Sequence, residues 1–266
     1  MMSLTRAWSR IGNRYREAQS RFWHRRPCAL SGAGPMVSFT FDDVPRSSCT
    51  RGRLILEAHG VRASYYLSMA LMDGSYSIGA AFSRADLEVL IAGGHEVGSH
   101  TFDHLDAWHT RPGLFEASIR ENQRKLQELF PGRVFRTFSF PINWPRPRIK
   151  KLAGQIHACC RGGGQAANVG TVDLNLLNSV FLDARNLGRL DAMKKLIDGN
   201  AAKAGWLIFS THDIDERPSP YGCTPGFLED VVGYARASGA EIRPVYDAWA
   251  ALCGGPDAVQ GRTEAP

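Results

Sequence analysis

Asp42 and Asp43 stand side by side at the end of the apolar run MVSFTF, residues 36–41. His100 and His104 are four apart in GSHTFDHLD, and His212 and Asp213 close the run GWLIFSTHD. These residue types bind divalent metals and move protons. If the loop after His100 enters a helical turn, both imidazoles face the same way. Two histidines and a carboxylate then make a three-ligand set with an open position, the arrangement of catalytic zinc. The carboxylate must come from elsewhere, and the Asp42–Asp43 pair offers it. Neighbouring side chains on a strand point to opposite faces, so both acids reach one site only if the backbone bends between them. One Asp would bind the metal. The other, held close but off the ion, would act as a base toward the activated water. Alone, Asp-Asp also reads as a strand-ending turn, and H-x3-H as surface or capping histidines. The strand-ending His-Asp joins all three segments into one candidate site.

Positioning these groups is the task of the elements around them. Short apolar runs alternate with helical patterns through most of the chain. Strands are expected at 36–41, 63–68, 95–100, 136–141, 156–160, 178–182, 205–213 and 241–245. Helices are expected at 51–60, 83–94, 113–132, around 146–153, and at 190–205 and 226–240. Ser83 with Asp86 three residues on is an N-terminal capping signal, and glycines 93 and 94 mark that helix's end. Such alternation means parallel strands with crossover helices. About eight strands over roughly 220 residues suit a closed (β/α) barrel. In a barrel the chemistry gathers where strands end and βα loops begin, which is where the acids and histidines fall.

Charge and composition narrow the function classes. The chain has 266 residues and a net charge of +6. Residues 1–26 hold seven arginines and one acid, Glu17, so this arm carries the whole net charge and the rest is formally neutral. A neutral body argues against a nucleic-acid partner. In the arm, Leu4, Trp8, Ile11, Tyr15, Ala18 and Phe22 make an apolar helical stripe. It reads as a helix packed on the body, or as a peripheral contact with an anionic membrane surface. An Arg-rich organelle presequence is a third reading; a secretory signal is excluded by the missing apolar core segment. No apolar run reaches the roughly 18 residues of a membrane span, and the expected location is cytoplasmic, with peripheral membrane contact through the arm as the variant. None of the six cysteines forms a CxxC pair, and they are read as reduced, with Cys159 and Cys160 in the core.

Some patterns mislead. His95-Glu96 before His100 has one residue too many for HExxH. Gly162, Gly164 and Ala167 fit G-x-G-x-x-A, but the following NVGTVDLNLLN is a poor helix, so a dinucleotide site is rejected. His59, His95 and His157 are read as structural, and His24 and His109 as surface residues.

TFDD at 40–43, SHTFDH at 99–104 and STHD at 210–213 resemble three motifs of the polysaccharide deacetylases, the NodB-homology carbohydrate esterases that include chitooligosaccharide deacetylases. HGVRASYYLS at 59–68 resembles the family's second-strand segment, and the similarity runs over about residues 35–247. The resemblance implies an irregular (β/α)7-8 barrel of the NodB-homology type, holding one divalent metal, usually Zn2+. By motif position it implies Asp42 as catalytic base, His212 as general acid, and Asp43, His100 and His104 as metal ligands. One departure stands out. The family's third motif commonly has an Arg two residues before a Pro that precedes an aromatic and Gly. Here FSFPIN, 138–143, puts Ser139 in the Arg position, with Ile142 and Asn143 after the Pro. Arg161, at the end of the next strand, is the candidate replacement that would aim Asp42; it also reads as an ordinary loop Arg. Asp213 or Asp173 would orient His212. A backbone N–H after Pro141 would serve as oxyanion donor. Trp108, Trp144 and Tyr221 would stack on sugar rings or pack their loops.

The chain therefore divides into a basic arm (1–32), a deacetylase barrel (33–252) and a tail (253–266). The expected function is metal-dependent removal of N-acetyl groups from an N-acetylated oligo- or polysaccharide. The altered FSFPIN loop keeps open a cyclic amide or imide substrate. The missing Arg keeps open a non-catalytic, metal-bearing carbohydrate-binding protein.

Overall fold

The computed structural model describes residues 2–30, 32, 34–142 and 144–254, and for residues 2–11 the backbone only. Seven parallel strands run in the order β10-β11-β2-β3-β6-β7-β8, and an eighth, β12, joins β2. Their ranges are β2 Met36–Asp42, β3 Ser64–Leu67, β6 Glu96–Ser99, β7 Thr137–Ser139, β8 Cys159–Arg161, β10 Val180–Phe181, β11 Trp206–Thr211 and β12 Glu241–Ile242. Past β8 the backbone of Arg161 bridges in parallel to Leu177, three residues before β10. That bridge links the two ends of the sheet and gives the irregular (β/α) barrel expected from sequence.

Crossover helices cover the outside: α2 Arg53–Ala58, α3 Arg84–Ala92, α4 Pro112–Leu129, α5 Pro147–Ile156, α6 Leu190–Ala201 and α7 Pro225–Ala237. The capping box at Ser83–Asp86 is formed, with the Ser83 side chain accepting from the Asp86 N–H. Period-two alternation sorts the two faces of β2. Val37, Phe39 and Phe41 of β2 and Leu207 and Phe209 of β11 pack in the outer core beneath the helices. Ser38, Thr40 and Asp42 alternate with them, and all are buried. Small polar residues therefore lead up the inner face of β2 to Asp42 at its end.

Several elements escaped the sequence reading. A strand β1 (Pro27–Ala29), inside the stretch set apart as the arm, pairs antiparallel with β9 (Thr171–Asp173). A hairpin, β4 Ser75–Tyr76 and β5 Gly79–Ala80, follows β3. The last helix, α8 Val245–Cys253, packs Val245, Ala248, Trp249 and Leu252 against Met36, Trp206 and Ile208. It takes residue 245, so the last strand stops at Ile242 rather than 245. The strand expected from 156 begins at Cys159, because Ile156 still belongs to α5. Cys28, Cys49, Cys159, Cys160 and Cys223 are buried free thiols. Residues 255–266 of the expected tail lie outside the described residues. Among the described residues no helix is long and apolar enough to cross a membrane. The arm forms α1, Met2–Phe22.

Candidate active site

Asp42 ends β2 on its inner face, and the backbone then reverses sense. Asp43 has φ +56° and Val44 φ +49°, the left-handed region that non-glycine residues rarely enter. This is the bend that two adjacent acids need. The Tyr76 hydroxyl, from the β4–β5 hairpin, donates to the Asp43 carbonyl at 2.7 Å and holds the turn. Strain of this kind persists only where surrounding structure fixes it.

His100 follows β6, and its carbonyl accepts from the Ser68 hydroxyl. Its Nδ1–H donates to the Ser139 carbonyl at 2.8 Å, which leaves Nε2 as a lone pair. Burial lowers the His100 pKa to about 4 despite the nearby Asp42 and Asp43, so the ring is neutral near pH 7. The expected helical turn between His100 and His104 is not there. Thr101 (φ +62°) and His104 (φ +51°) instead curl the loop back on itself. Ser118 of α4 braces that loop, accepting from the Phe102 and Asp103 N–H groups. The imidazoles end 5.1 Å apart, centre to centre.

Asp43 Oδ1 lies 3.3 Å from His104 Nε2 and 3.6 Å from His100 Nε2. One ligand atom from each of the three lies within 4.8 Å of the others, the spacing of a metal site. Asp43 Oδ1 is buried with no hydrogen-bond donor among the described residues. An orphaned carboxylate oxygen facing an imidazole lone pair suits a cation between them, so the donor set fits a divalent metal.

Asp42 belongs to a different pair. Arg161 Nη2 donates to its Oδ1, and Arg161 is 1% exposed. Burial alone would raise the Asp42 pKa; Arg161, His100 and His212 outweigh it and hold the carboxyl below its ordinary range. The guanidinium lies 4.7 Å from the Tyr66 ring centre. That ring covers Gly98, where an added Cβ would sit 2.5 Å from it. Arg161 pairs in register with Ser139 on β7, the position of the missing Arg. The cation comes from one strand over.

His212, just past β11, turns Nε2 to within 3.9 Å of Asp43 Oδ2. Its Nδ1 is buried and has no partner among the described residues. Neither acid expected to orient it does so. Asp213 accepts from the Ser219 N–H and hydroxyl. Asp173 is held by Lys150 and by the N–H groups of Arg26 and Asn175. Each carboxylate is already committed to the loop or helix it stabilises.

Ile142 is exposed with φ +58°, and its N–H has no hydrogen-bond partner among the described residues. It is free to serve as the oxyanion donor expected after Pro141. Asn143 lies outside the described residues. Tyr221 is exposed, its ring centre 5.6 Å from that of His212. Trp108 and Trp144 are less available, since Arg16 and Arg21 of α1 each cover one ring. Sequence reasoning missed Tyr66 and Tyr76. The first sits in an apolar strand and the second in a two-residue hairpin strand, and neither has a motif to mark it.

Three comparisons bear on this rim. A family model described as polysaccharide deacetylase matches residues 30–156. A chitooligosaccharide deacetylase of Rhizobium leguminosarum bv. phaseoli is 30% identical over 99 residues, 37% of this chain. The matched stretch spans 40% of that relative's length. Among solved structures, the chitin deacetylase of the fungal pathogen Colletotrichum lindemuthianum superposes with a TM-score of 0.60 at 16% identity, over 86% of this chain and 92% of that one. A CE4 family pseudoenzyme from Bacillus anthracis superposes with a TM-score of 0.56 at 13% identity, over 83% of this chain and 67% of that one. At such identities the likeness speaks for the fold alone. Arg161 and His212 lie beyond the matched residues and join the rim through the barrel. By the match over residues 30–156 and the motif-bearing rim built on it, the chain is similar to the polysaccharide deacetylases over just under half of its length.

Proposed function

We propose that this chain is a zinc-dependent hydrolase that removes N-acetyl groups from an N-acetylated oligo- or polysaccharide. One observation carries the reading: the three-ligand set Asp43, His100 and His104 has beside it the acid Asp42, held below its ordinary pKa, and His212. Fold likeness cannot decide, since a pseudoenzyme shares it; the retained side chains argue for activity.

When bound by Asp43, His100 and His104, the metal supplies polarisation of the amide carbonyl and acidification of water. Asp42, kept as a carboxylate beside Arg161, takes the proton of the attacking water. The Ile142 N–H donates to the oxygen on which negative charge develops. An amine leaves badly unless protonated, so His212 gives the nitrogen a proton from Nε2. The C–N bond breaks, acetate and a free amine result, and the proton accepted by Asp42 returns to solvent. Tyr221 offers a face for a sugar ring beside His212.

A small cyclic amide or imide is the second reading, favoured by Ile142 in place of the aromatic that commonly follows the Pro. Both are tested by loading the purified protein with zinc and following acetate from N-acetylglucosamine oligomers beside ring opening of cyclic imides. Acetate release supports the first reading. Ring opening without acetate release replaces it with the second, and no turnover of either class rejects both.

A further inference from the structure

Helix α1 joins the body through one side. Ser20 Oγ donates to the Pro145 carbonyl, and buried Lys150 Nζ donates to the Ser20 and Trp23 carbonyls at the helix end. Tyr15 meets Trp108 edge-on at 6.3 Å. At 100° per residue, the apolar stripe of the arm centres on another side of the helix. Its described members are open to solvent: Tyr15 is 60% exposed, Phe22 77%, and Ala18 is also exposed. Trp23, 57% exposed, extends the apolar edge. A helical stripe of this kind is normally buried against a core. No element among the described residues covers this one.

Charge selects the occupant. The arm carries the whole net charge of +6. Arg14 and Arg25 are exposed and make no ion pair among the described residues. Arg14 flanks the stripe on the helix, and Arg25 lies just past the helix end, two residues beyond Trp23. A second copy would bring the same positive face against this one, which like-charge repulsion disfavours. Exposed aromatics bordered by arginine match the boundary of an anionic bilayer, where rings enter the headgroup layer and guanidinium groups meet phosphate.

We propose that α1 docks the protein on the surface of an anionic phospholipid bilayer, with Tyr15, Phe22 and Trp23 inserted and Arg14 and Arg25 on the lipid phosphates. The helix is fixed to the body by Lys150 and touches the loop that carries His104 and Trp108. Docking therefore holds the catalytic rim beside the membrane. This inference does not depend on the reaction proposed above.

The full chain is sedimented with sucrose-loaded vesicles of phosphatidylcholine alone or mixed with phosphatidylglycerol. Binding to the anionic vesicles is expected to be at least about tenfold stronger and to weaken with added salt. Phe22→Ser with Trp23→Ser, and separately Arg14→Glu with Arg25→Glu, are each expected to weaken it at least about tenfold. Those side chains are exposed, so the variants are expected to keep the wild-type circular dichroism spectrum. Equal binding to both vesicle types, no binding to either, or variants that bind like wild type would overturn the proposal. A concentration-dependent dimer abolished by the Phe22–Trp23 variant would overturn it in favour of a second copy.

Discussion

Arg161, at the end of β8, meets the Asp42 carboxylate, at the end of β2, across the barrel interior. The two strands are not neighbours in the sheet, so the pair spans the space that β3, β6 and β7 enclose. Ser139, the register partner of Arg161, is fully buried and its hydroxyl has no partner among the described residues. A short side chain there leaves room for the guanidinium from the adjacent strand. The site thus keeps a cation against Asp42, supplied by β8 rather than by Ser139 of β7.

Breaking this pair should cost both stability and rate. Arg161→Met leaves a buried carboxylate unpaired, and removing one partner of a buried pair costs about 3–5 kcal/mol. The expected result is a lower urea midpoint and loss of kcat, with zinc content kept. Asp42→Asn combined with Arg161→Met should be closer to wild type in stability than Arg161→Met alone, because the charge is gone. Unfolding curves of the four proteins check this. Additive losses would show that the pair does not couple.

The ligand assignment predicts a separation between metal content and activity. Asp43→Ala, His100→Ala and His104→Ala should each lose bound zinc, measured by elemental analysis after dialysis. His212→Ala should retain it, since the only contact of His212 with the ligand set is a 3.9 Å approach to Asp43. Stoichiometric zinc in the His100→Ala variant would remove that residue from the ligand set.

The loop after Pro141 gives a test by backbone chemistry. Ile142→Pro removes the N–H, and proline is also barred from φ +58°. Loss of one oxyanion donor lowers kcat by about 10²–10³. Ile142→Gly keeps the N–H and adopts this φ without strain, so it should keep most of the rate. Steady-state kinetics of both, with circular dichroism to verify folding, separate the N–H from the side chain. A slow Gly variant would assign the effect to the isoleucine.

A buried histidine away from the site predicts an acid limb of stability. Burial lowers the His157 pKa from 6.5 to about 4. Between those values the unfolded chain binds more protons than the folded one, so stability rises with pH. The contribution is fully present above about pH 6.5, is lost as pH falls through about 4, and is on the order of 3 kcal/mol. NMR titration of the His157 ring should give a midpoint near pH 4. A midpoint above 6 would contradict the burial argument.

The barrel was legible in the sequence because short apolar runs such as Met36–Phe41 and Trp206–Phe209 alternate along the chain with helical patterns. The capping box of α3 was legible because it is local. Asp43, His100 and His212 were findable because their types are chemically narrow and they fall just past strand ends, and His104 because it follows His100 by four. The route by which His100 meets His104 was not. It depends on left-handed Thr101 and His104, which are neither glycine nor asparagine. Strands β1 and β9 were hidden because each exists only through its distant partner. Helix α8 was hidden because Val245–Cys253 is apolar almost throughout, which masks the helical period. Asp173 and Asp213 were misassigned as partners of His212 because sequence proximity to the rim does not reveal that Lys150 and Ser219 already hold them.

The central claim is that Asp42 acts as the base while its neighbour Asp43 holds the metal. The most direct measurement is acetate release from N-acetylglucosamine oligomers by zinc-loaded wild type and Asp42→Asn, with the zinc of each counted. The account predicts equal zinc and a rate at least about 100-fold lower in the variant. Equal zinc with an unchanged rate would contradict it.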